Sequence, residues 1–101
     1  MSAPCPEYGF TFACRLAPGL DADAVRALRD AFVGVLESRG LAAAGGGDAT
    51  WHHVISRDGG QAIDADREAL EAWADARAEI VEATVGPLQD LTDVESRNAI
   101  G

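Results

Sequence analysis

Two adjacent histidines, His52 and His53, are the residues best suited to chemistry, because imidazole binds metal ions and exchanges protons near neutral pH. They lie in a run, 50–57, whose composition is typical of a β-strand. Neighbouring side chains on a strand point to opposite faces, so the pair cannot chelate one ion. No Cys-x-x-Cys or His-x-x-x-His spacing completes a tetrahedral set. We therefore predict no metal site, with one histidine exposed and the other packed against a neighbour.

Four acidic residues form the densest group of possible acid–base catalysts: Asp64, Asp66, Glu68 and Glu71. General acid–base catalysis needs a group whose pKa is shifted by its position in a cleft. This group instead matches the start of a helix and its exposed flank, where capping and solvation account for the carboxylates. No serine lies in a Gly-x-Ser-x-Gly motif. We predict no catalytic residue, so the chain is not an enzyme.

The glycine run Gly45-Gly46-Gly47 is the other motif with a chemical interpretation. A phosphate-binding loop leads from a strand into the start of a helix, often with a lysine. This run leads toward a strand, is followed by Asp48, and belongs to a chain without lysine. It predicts a hairpin turn and no cofactor. The two cysteines are too few for a disulfide scaffold or a zinc site, so we interpret Cys5 as a loop residue and Cys14 as a buried thiol.

The charge balance restricts the partners that the chain can bind. Its formal net charge is −9, with 17 acidic residues against 8 basic ones, and every basic residue is an arginine. Such a chain repels nucleic-acid phosphates and anionic membranes over most of its surface. No segment approaches the roughly 18 apolar residues of a membrane-spanning helix, and 1–7 lacks the features of a signal peptide. We expect a cytoplasmic protein without membrane association or general nucleic-acid binding.

The first half of the chain predicts a strand followed by a helix. Large apolar residues alternate with small or polar ones over 8–16, which is typical of a strand buried on one face. Apolar residues then recur every three or four positions over 25–36, as on one face of a helix. Asp21 or Asp23 is suited to capping the start of this helix, and Gly40 is suited to ending it.

The second half predicts a hairpin, a second helix and a last strand. Residues 41–44 and 50–57 lie on either side of the glycine run, as the two strands of a hairpin do. Asp64 is placed to cap a helix over about 65–78. Residues 79–85 are rich in β-branched side chains, as in a strand, and a Gly-Pro pair ends them.

This order of elements predicts an α+β fold of the ferredoxin-like βαββαβ type, with a four-stranded antiparallel sheet and two helices on one face. We divide the chain into an irregular leader (1–7), a single domain (8–94) and a flexible tail (95–101). Apolar residues on the inner faces are the predicted core: Phe10, Phe12, Leu28, Phe32, Leu36, Trp51, Ile55, Leu70, Trp73, Ile80 and Val81.

Such a fold leaves one face of the sheet uncovered, and this face is where we expect a partner to bind. The candidate contact residues are Arg15, Trp51, His52 and His53. Trp51 fits two roles, as a core residue or as an exposed anchor of the kind that dominates binding energy at interfaces. Trp73, on the second helix, is interpreted as a core residue.

The ordered series of these features resembles the YggL family. The run Tyr8-Gly9-Phe10-Thr11-Phe12-Ala13-Cys14-Arg15-Leu16 is similar to the opening strand of that family. Further similar features follow at the same spacing: Asp30-Ala31-Phe32-Val33, Gly40-Leu41, the glycine run, a tryptophan opening the next strand, the acidic helix start, Trp73, and Val85-Gly86-Pro87-Leu88-Gln89-Asp90-Leu91. The similarity covers about 7–94. This chain differs from familiar family members in two features. They start with a Lys/Arg-rich arm, which is not found here, and they tend to have Trp-Glu-Gly where this chain has Trp51-His52-His53.

The resemblance implies a protein that binds the large (50S) ribosomal subunit and has no enzymatic activity. Its acidic surface suits basic ribosomal proteins better than bare RNA. The alternative function is a small acidic inhibitor or nucleic-acid mimic, such as a phage anti-CRISPR protein, that occupies a basic groove of another protein. A third is a structural domain that dimerises through its sheet. We expect the 50S subunit or a basic protein as the partner, and a monomer or weak homodimer.

Overall fold

The chain forms one antiparallel sheet with two helices packed on one of its faces. The computed structural model describes residues 8–57 and 60–90. The elements, in chain order, are β1 (Tyr8–Leu16), α1 (Ala22–Ser38), β2 (Leu41–Gly47), β3 (Thr50–Arg57), α2 (Asp64–Asp75), β4 (Ile80–Val85) and β5 (Gln89–Asp90). The strand order is β2-β3-β1-β4, and β5 pairs with the first residues of β1. The predicted ferredoxin-like arrangement is confirmed. The predicted leader, the predicted tail and Cys5 lie outside the described residues.

The core lies between the sheet and the helices, and the period-two pattern of β1 is buried as predicted. The prediction for Val81 is wrong, since its side chain is 49% exposed. Leu16 pairs with Ile80 and Arg15 pairs with Glu82, so Val81 is the extra residue of a β-bulge. Trp73 and Ile80 are half-buried. The buried apolar residues are Phe10, Phe12, Cys14, Leu16, Leu28, Phe32, Leu36, Leu41, Trp51, Ile55, Ala62, Leu70 and Ala74.

Helix α1 begins and ends as its sequence predicts. Asp21 is the N-cap, and its Oδ1 accepts a hydrogen bond from the backbone N–H of Ala24 at 2.8 Å. Gly40 follows the helix with φ of +69°, the left-handed conformation that ends many helices. Leu28, Phe32 and Leu36 are spaced four residues apart, so they lie on one side of the helix and are buried in the core.

The β2–β3 hairpin is longer than predicted, because the glycine run belongs to β2 rather than to the turn. The glycines pair with residues of β3, which leaves only Asp48 and Ala49 between the strands. Gly45 and Gly47 have φ of +134° and +145°, and a Cβ at either position would overlap a carbonyl oxygen of β3. The run therefore permits a close approach of two backbones, which only glycine allows.

Helix α2 is shorter than predicted and is capped differently. Its N-cap is Ile63 rather than Asp64, and it ends at Asp75 rather than at 78. Asp66 takes over the capping role, since its Oδ2 accepts a hydrogen bond from the Ile63 N–H at 2.9 Å. The predicted place of Asp66 in the first turn is confirmed, but solvation does not explain its carboxylate, because the side chain is fully buried.

The sheet continues past the Gly-Pro pair that ends β4. Leu88 packs against the core, and the short strand β5 then adds to β1. In this pairing Gly9 lies opposite Gln89. The sequence analysis missed β5, because two residues are too few to show any periodicity.

Candidate functional site

The uncovered face of the sheet is built mainly from small side chains. Paired residues of antiparallel strands point to the same face, which places Val54 beside Thr11 and His52 beside Ala13. We call this surface the open face, and its residues are Thr11, Ala13, Arg15, Ala42, Ala44, Gly46, Thr50, His52, Val54, Ser56, Glu82 and Thr84. This set contains one arginine, one histidine and one carboxylate, so the open face is close to neutral.

The four predicted contact residues do not share one face. Arg15 and His52 are exposed on the open face, whereas Trp51 and His53 point toward the helices. Trp51 is fully buried, so of its two interpretations the core residue is correct, and it has no exposed surface with which to anchor a partner. His53 is half-buried against Phe32, with ring centroids 5.0 Å apart. The prediction of one exposed and one packed histidine is confirmed.

His53 is held as a neutral imidazole. Burial lowers its pKa below 6.5, and the positive charges of Arg29 and His52 lower the pKa further. Its Nδ1 is buried and has no hydrogen-bond partner within the described part of the chain. Because a second proton would place an unpaired charge beside Arg29, His53 is better suited to packing than to proton transfer.

A buried carboxylate joins three elements at the end of the sheet where β3 finishes. Asp66 Oδ1 accepts from Arg39 Nε at 2.9 Å, and Asp66 Oδ2 accepts from Arg57 Nη2 at 2.7 Å. We call these three residues the Asp66 cluster. Burial raises the pKa of Asp66, but the hydrogen bonds from the Ile63 N–H and both guanidinium groups outweigh burial and hold the pKa below its ordinary value of 3.8. The carboxylate is ionised, accepts these three hydrogen bonds and is buried away from any substrate.

A cleft of about 790 Å³ opens at the opposite end of the sheet. It lies between the β1–α1 connection, the first turns of α1 and the β2–β3 turn. Leu16, Leu20 and Val25 contribute apolar surface to its lining. Arg15, Arg26 and Arg29 also line it, and we call it the arginine cleft after these three residues. Arg15 belongs to both surfaces, so the arginine cleft is continuous with the open face.

The arginines of the cleft differ from the other described arginines in having no carboxylate partner. Of the chain's eight arginines, Arg97 lies outside the described residues. Four of the other seven form ion pairs with carboxylates: Arg39, Arg57, Arg67 and Arg77. Arg29 instead donates through Nη2 to the carbonyl oxygen of Gly47 at 3.1 Å and lies 4.9 Å from the centroid of the Trp51 ring. These contacts hold one guanidinium group in place at the cleft.

The other acidic, histidine and cysteine side chains within 8–57 and 60–90 were the remaining candidates for a metal site. No three His, Cys, Asp or Glu residues in those ranges are grouped so that they could hold a metal ion. Burial raises the pKa of Cys14 to about 11, so this thiol stays protonated and unreactive at neutral pH. Neither of the helices described there is long and apolar enough to cross a membrane.

A comparison with protein-family models identifies the family of this chain. The model of a family described as YggL 50S ribosome-binding protein matches residues 5–92. The chain belongs to the YggL family. Searches of the curated proteins and of the solved structures found no significant match. The resemblance based on the ordered motifs is confirmed, and the YggL description identifies this as a family of ribosome-binding proteins.

A ribosome-binding protein contacts its partner through exposed residues, and the sequence analysis missed two of these, Arg26 and Arg29. Arg26 and Arg29 lie three positions apart on α1, a spacing that places them on one side of the helix. That spacing was a visible signal. What the sequence does not show is that the turn at Asp48 and the end of β1 meet this side of the helix to form a cleft.

Proposed function

We propose that this YggL-family chain binds the 50S ribosomal subunit as a non-catalytic module. The family match, which covers residues 5–92 of 101, carries the proposal. A protein with this partner acts in the cytoplasm, where ribosomes translate. No observation favours the acidic inhibitor or nucleic-acid mimic over the ribosome.

The state of the titratable groups supports a binding role without catalysis. The Asp66 carboxylate is held by two arginines, and burial keeps the Cys14 thiol protonated. The imidazole of His53 lies against an aromatic ring. None of these three groups lines the arginine cleft. The one carboxylate in its lining, Asp48, has no histidine or second carboxylate beside it there, so the cleft is better suited to holding a ligand than to transforming one.

We further propose that the open face docks on the subunit. The helices carry eight carboxylates, of which Asp66 is buried, whereas the open face carries Glu82 alone and has Arg15 opposite it. A surface rich in carboxylates is repelled by ribosomal RNA, so the near-neutral face is the side able to approach it. The acidic helices are then available to basic ribosomal proteins at the rim of the contact.

Sucrose-gradient sedimentation of the purified protein with 50S subunits tests the proposed function. We expect co-migration with the 50S peak at low salt, with a bound fraction that falls as salt is raised, because charged contacts are screened. A matched incubation with 30S subunits is the control for non-specific association. Absence from the 50S peak at low salt, or equal association with both subunits, would contradict the proposal.

A pair of valine substitutions tests the docking face separately. Val54 on the open face and Val33 on α1 are 40% and 46% exposed, so either accepts a glutamate without opening the core. We expect Val54→Glu to weaken 50S binding by about tenfold or more, because a carboxylate at the contact repels RNA. Val33→Glu should leave binding unchanged. Equal effects would argue against the open face, and light scattering that detects a dimer would favour dimerisation through the sheet instead.

A further inference from the structure

We propose that the arginine cleft binds a phosphate of the ribosomal RNA backbone, with the attached nucleoside lying on the apolar part of the lining. The inference rests on the proposed function, since it names the chemical group of the subunit that one site on this chain takes. It extends that function because the open face alone offers little chemistry for specific recognition.

The charge distribution is the first argument. Arg15, Arg26 and Arg29 line one cleft, and each lacks an ion pair within the described residues. Asp48 also lines the cleft but pairs with none of them. In a chain with 17 acidic residues and 8 basic ones, carboxylates are plentiful, yet none of those in the described part of the chain pairs with these three neighbouring cations. An anionic ligand supplies the missing charge.

The donors of the cleft suit phosphate. A guanidinium group presents five N–H donors in a planar fork that matches two phosphate oxygens. Arg29 uses one donor on the Gly47 carbonyl and is stacked on Trp51, so it is oriented before a ligand arrives and loses little entropy on binding. Arg15 and Arg26 are exposed and make no ion pair in the described structure, so both are able to close on the same ligand.

The apolar lining favours a nucleotide over a bare anion. Leu20 and Val25, which are partly exposed, contribute a surface on which a base or ribose can lie, and a volume of about 790 Å³ accommodates more than a phosphate ion. The acidic remainder of the surface still repels nucleic acid in general. Binding is therefore restricted to this one site, in agreement with the expectation of no general nucleic-acid binding.

A titration of the ¹⁵N-labelled protein with a short oligouridylate, followed by NMR, tests this site without the ribosome. We expect shifts of the Leu20, Asp48 and Thr50 amides, which border the cleft, and a shallow salt dependence that corresponds to one or two phosphates. Inorganic phosphate and an oligoglutamate peptide are the comparison ligands. Weaker shifts with phosphate indicate that the nucleoside contributes. Stronger shifts with oligoglutamate would identify an acidic peptide as the ligand and overturn the proposal.

The double variant Arg15→Gln/Arg26→Gln removes two cleft charges while leaving Arg29 over Trp51. We expect it to lose the oligouridylate shifts and to bind 50S subunits about tenfold or more weakly. The control, Gly34→Glu/Ala72→Glu, changes net charge by the same amount at exposed positions of the two helices and should bind as the unmodified protein does. Thermal unfolding checks that both variants are folded.

The two measurements separate this inference from the proposed function. If the unmodified protein binds 50S subunits and the arginine variant binds equally well, the cleft proposal is wrong and the function stands. If the unmodified protein does not bind subunits but takes oligouridylate through Arg15 and Arg26, the function is wrong and the cleft remains an RNA site. Oligouridylate shifts that persist in the arginine variant would also overturn the cleft proposal.

Discussion

The two ends of the sheet use arginine in opposite ways. At one end, Arg39 and Arg57 give their charge to the buried carboxylate of Asp66. At the other end, the three residues of the arginine cleft have no carboxylate partner within the described residues, and Arg29 instead donates to a carbonyl oxygen and lies over an aromatic ring. Residue type is the same at both ends, and only the surroundings differ.

The comparison distinguishes arginines whose charge stabilises the fold from arginines whose charge is not paired within the described structure. A buried carboxylate needs its partners, because an isolated buried charge is strongly destabilising. The Asp66 cluster links the end of α1, the end of β3 and the start of α2, so it holds the elements together. In the arginine cleft, Arg29 contacts Gly47 and Trp51, but no buried carboxylate of the described residues depends on these arginines. Arg15 and Arg26 have no ion pair within the described residues, which leaves their charges available for the binding that we propose.

Removal of the central carboxylate is the largest test of this comparison. We expect Asp66→Ala to lower the free energy of unfolding by about 3 kcal/mol, since it leaves two arginines without a partner and α2 without its cap. Asp64→Ala, two residues away, removes an exposed ion pair with Arg67 and should cost about 0.5 kcal/mol. Chemical denaturation measures both values. Similar losses for the two variants would mean that the Asp66 cluster is not structural.

A single arginine at each end gives the next largest contrast. Arg39→Gln removes one charged hydrogen bond to Asp66, and we expect a loss of about 1.5 kcal/mol in the free energy of unfolding. Arg26→Gln removes an exposed cleft residue and should change the same quantity by less than about 0.5 kcal/mol. Denaturation curves under one set of conditions compare them. If Arg26→Gln is as damaging as Arg39→Gln, the cleft arginines are structural too.

More of the fold than of the Asp66 cluster or the arginine cleft could be predicted from the sequence. Periodicity and caps are local, so Asp21, Gly40 and the alternation of β1 predict their elements directly. The Asp66 cluster joins residues 27 and 9 positions apart, and neither separation leaves a pattern in the sequence. The burial of Asp66 has no signal in the sequence, because capping and the helix dipole already account for an aspartate in a first helical turn. Only the assembled fold shows which arginines meet a carboxylate.

Acid pH should weaken the contribution of the Asp66 cluster. The pKa of Asp66 is lowered in the folded protein, so its stabilisation is fully present above the unfolded value of 3.8 and is lost as pH falls through the folded pKa. We therefore expect the difference in unfolding free energy between the unmodified protein and Asp66→Asn to narrow at acid pH. Denaturation curves at neutral and acid pH measure this. A constant difference would mean that ionisation of Asp66 contributes nothing.

The smallest expected effect is a change in the pKa of His53, which responds to the positive charge of Arg29. Burial lowers this pKa and the positive charge of Arg29 lowers it further, so Arg29→Gln should raise it toward 6.5. Arg29→Lys keeps the charge and should leave the pKa low, which separates charge from altered packing. Arg39→Gln, at the other end, should have no effect.

NMR titration of the imidazole measures these shifts, and the pH dependence of stability supplies a check on their sign. Because the folded pKa of His53 lies below the unfolded one, acidification below 6.5 favours unfolding, and Arg29→Gln should reduce that loss. A His53 pKa that is the same with and without Arg29 would mean that another group already neutralises this guanidinium in solution. Arg29 would then be neutralised as Arg39 and Arg57 are, and the two ends of the sheet would not differ in how their arginines are paired.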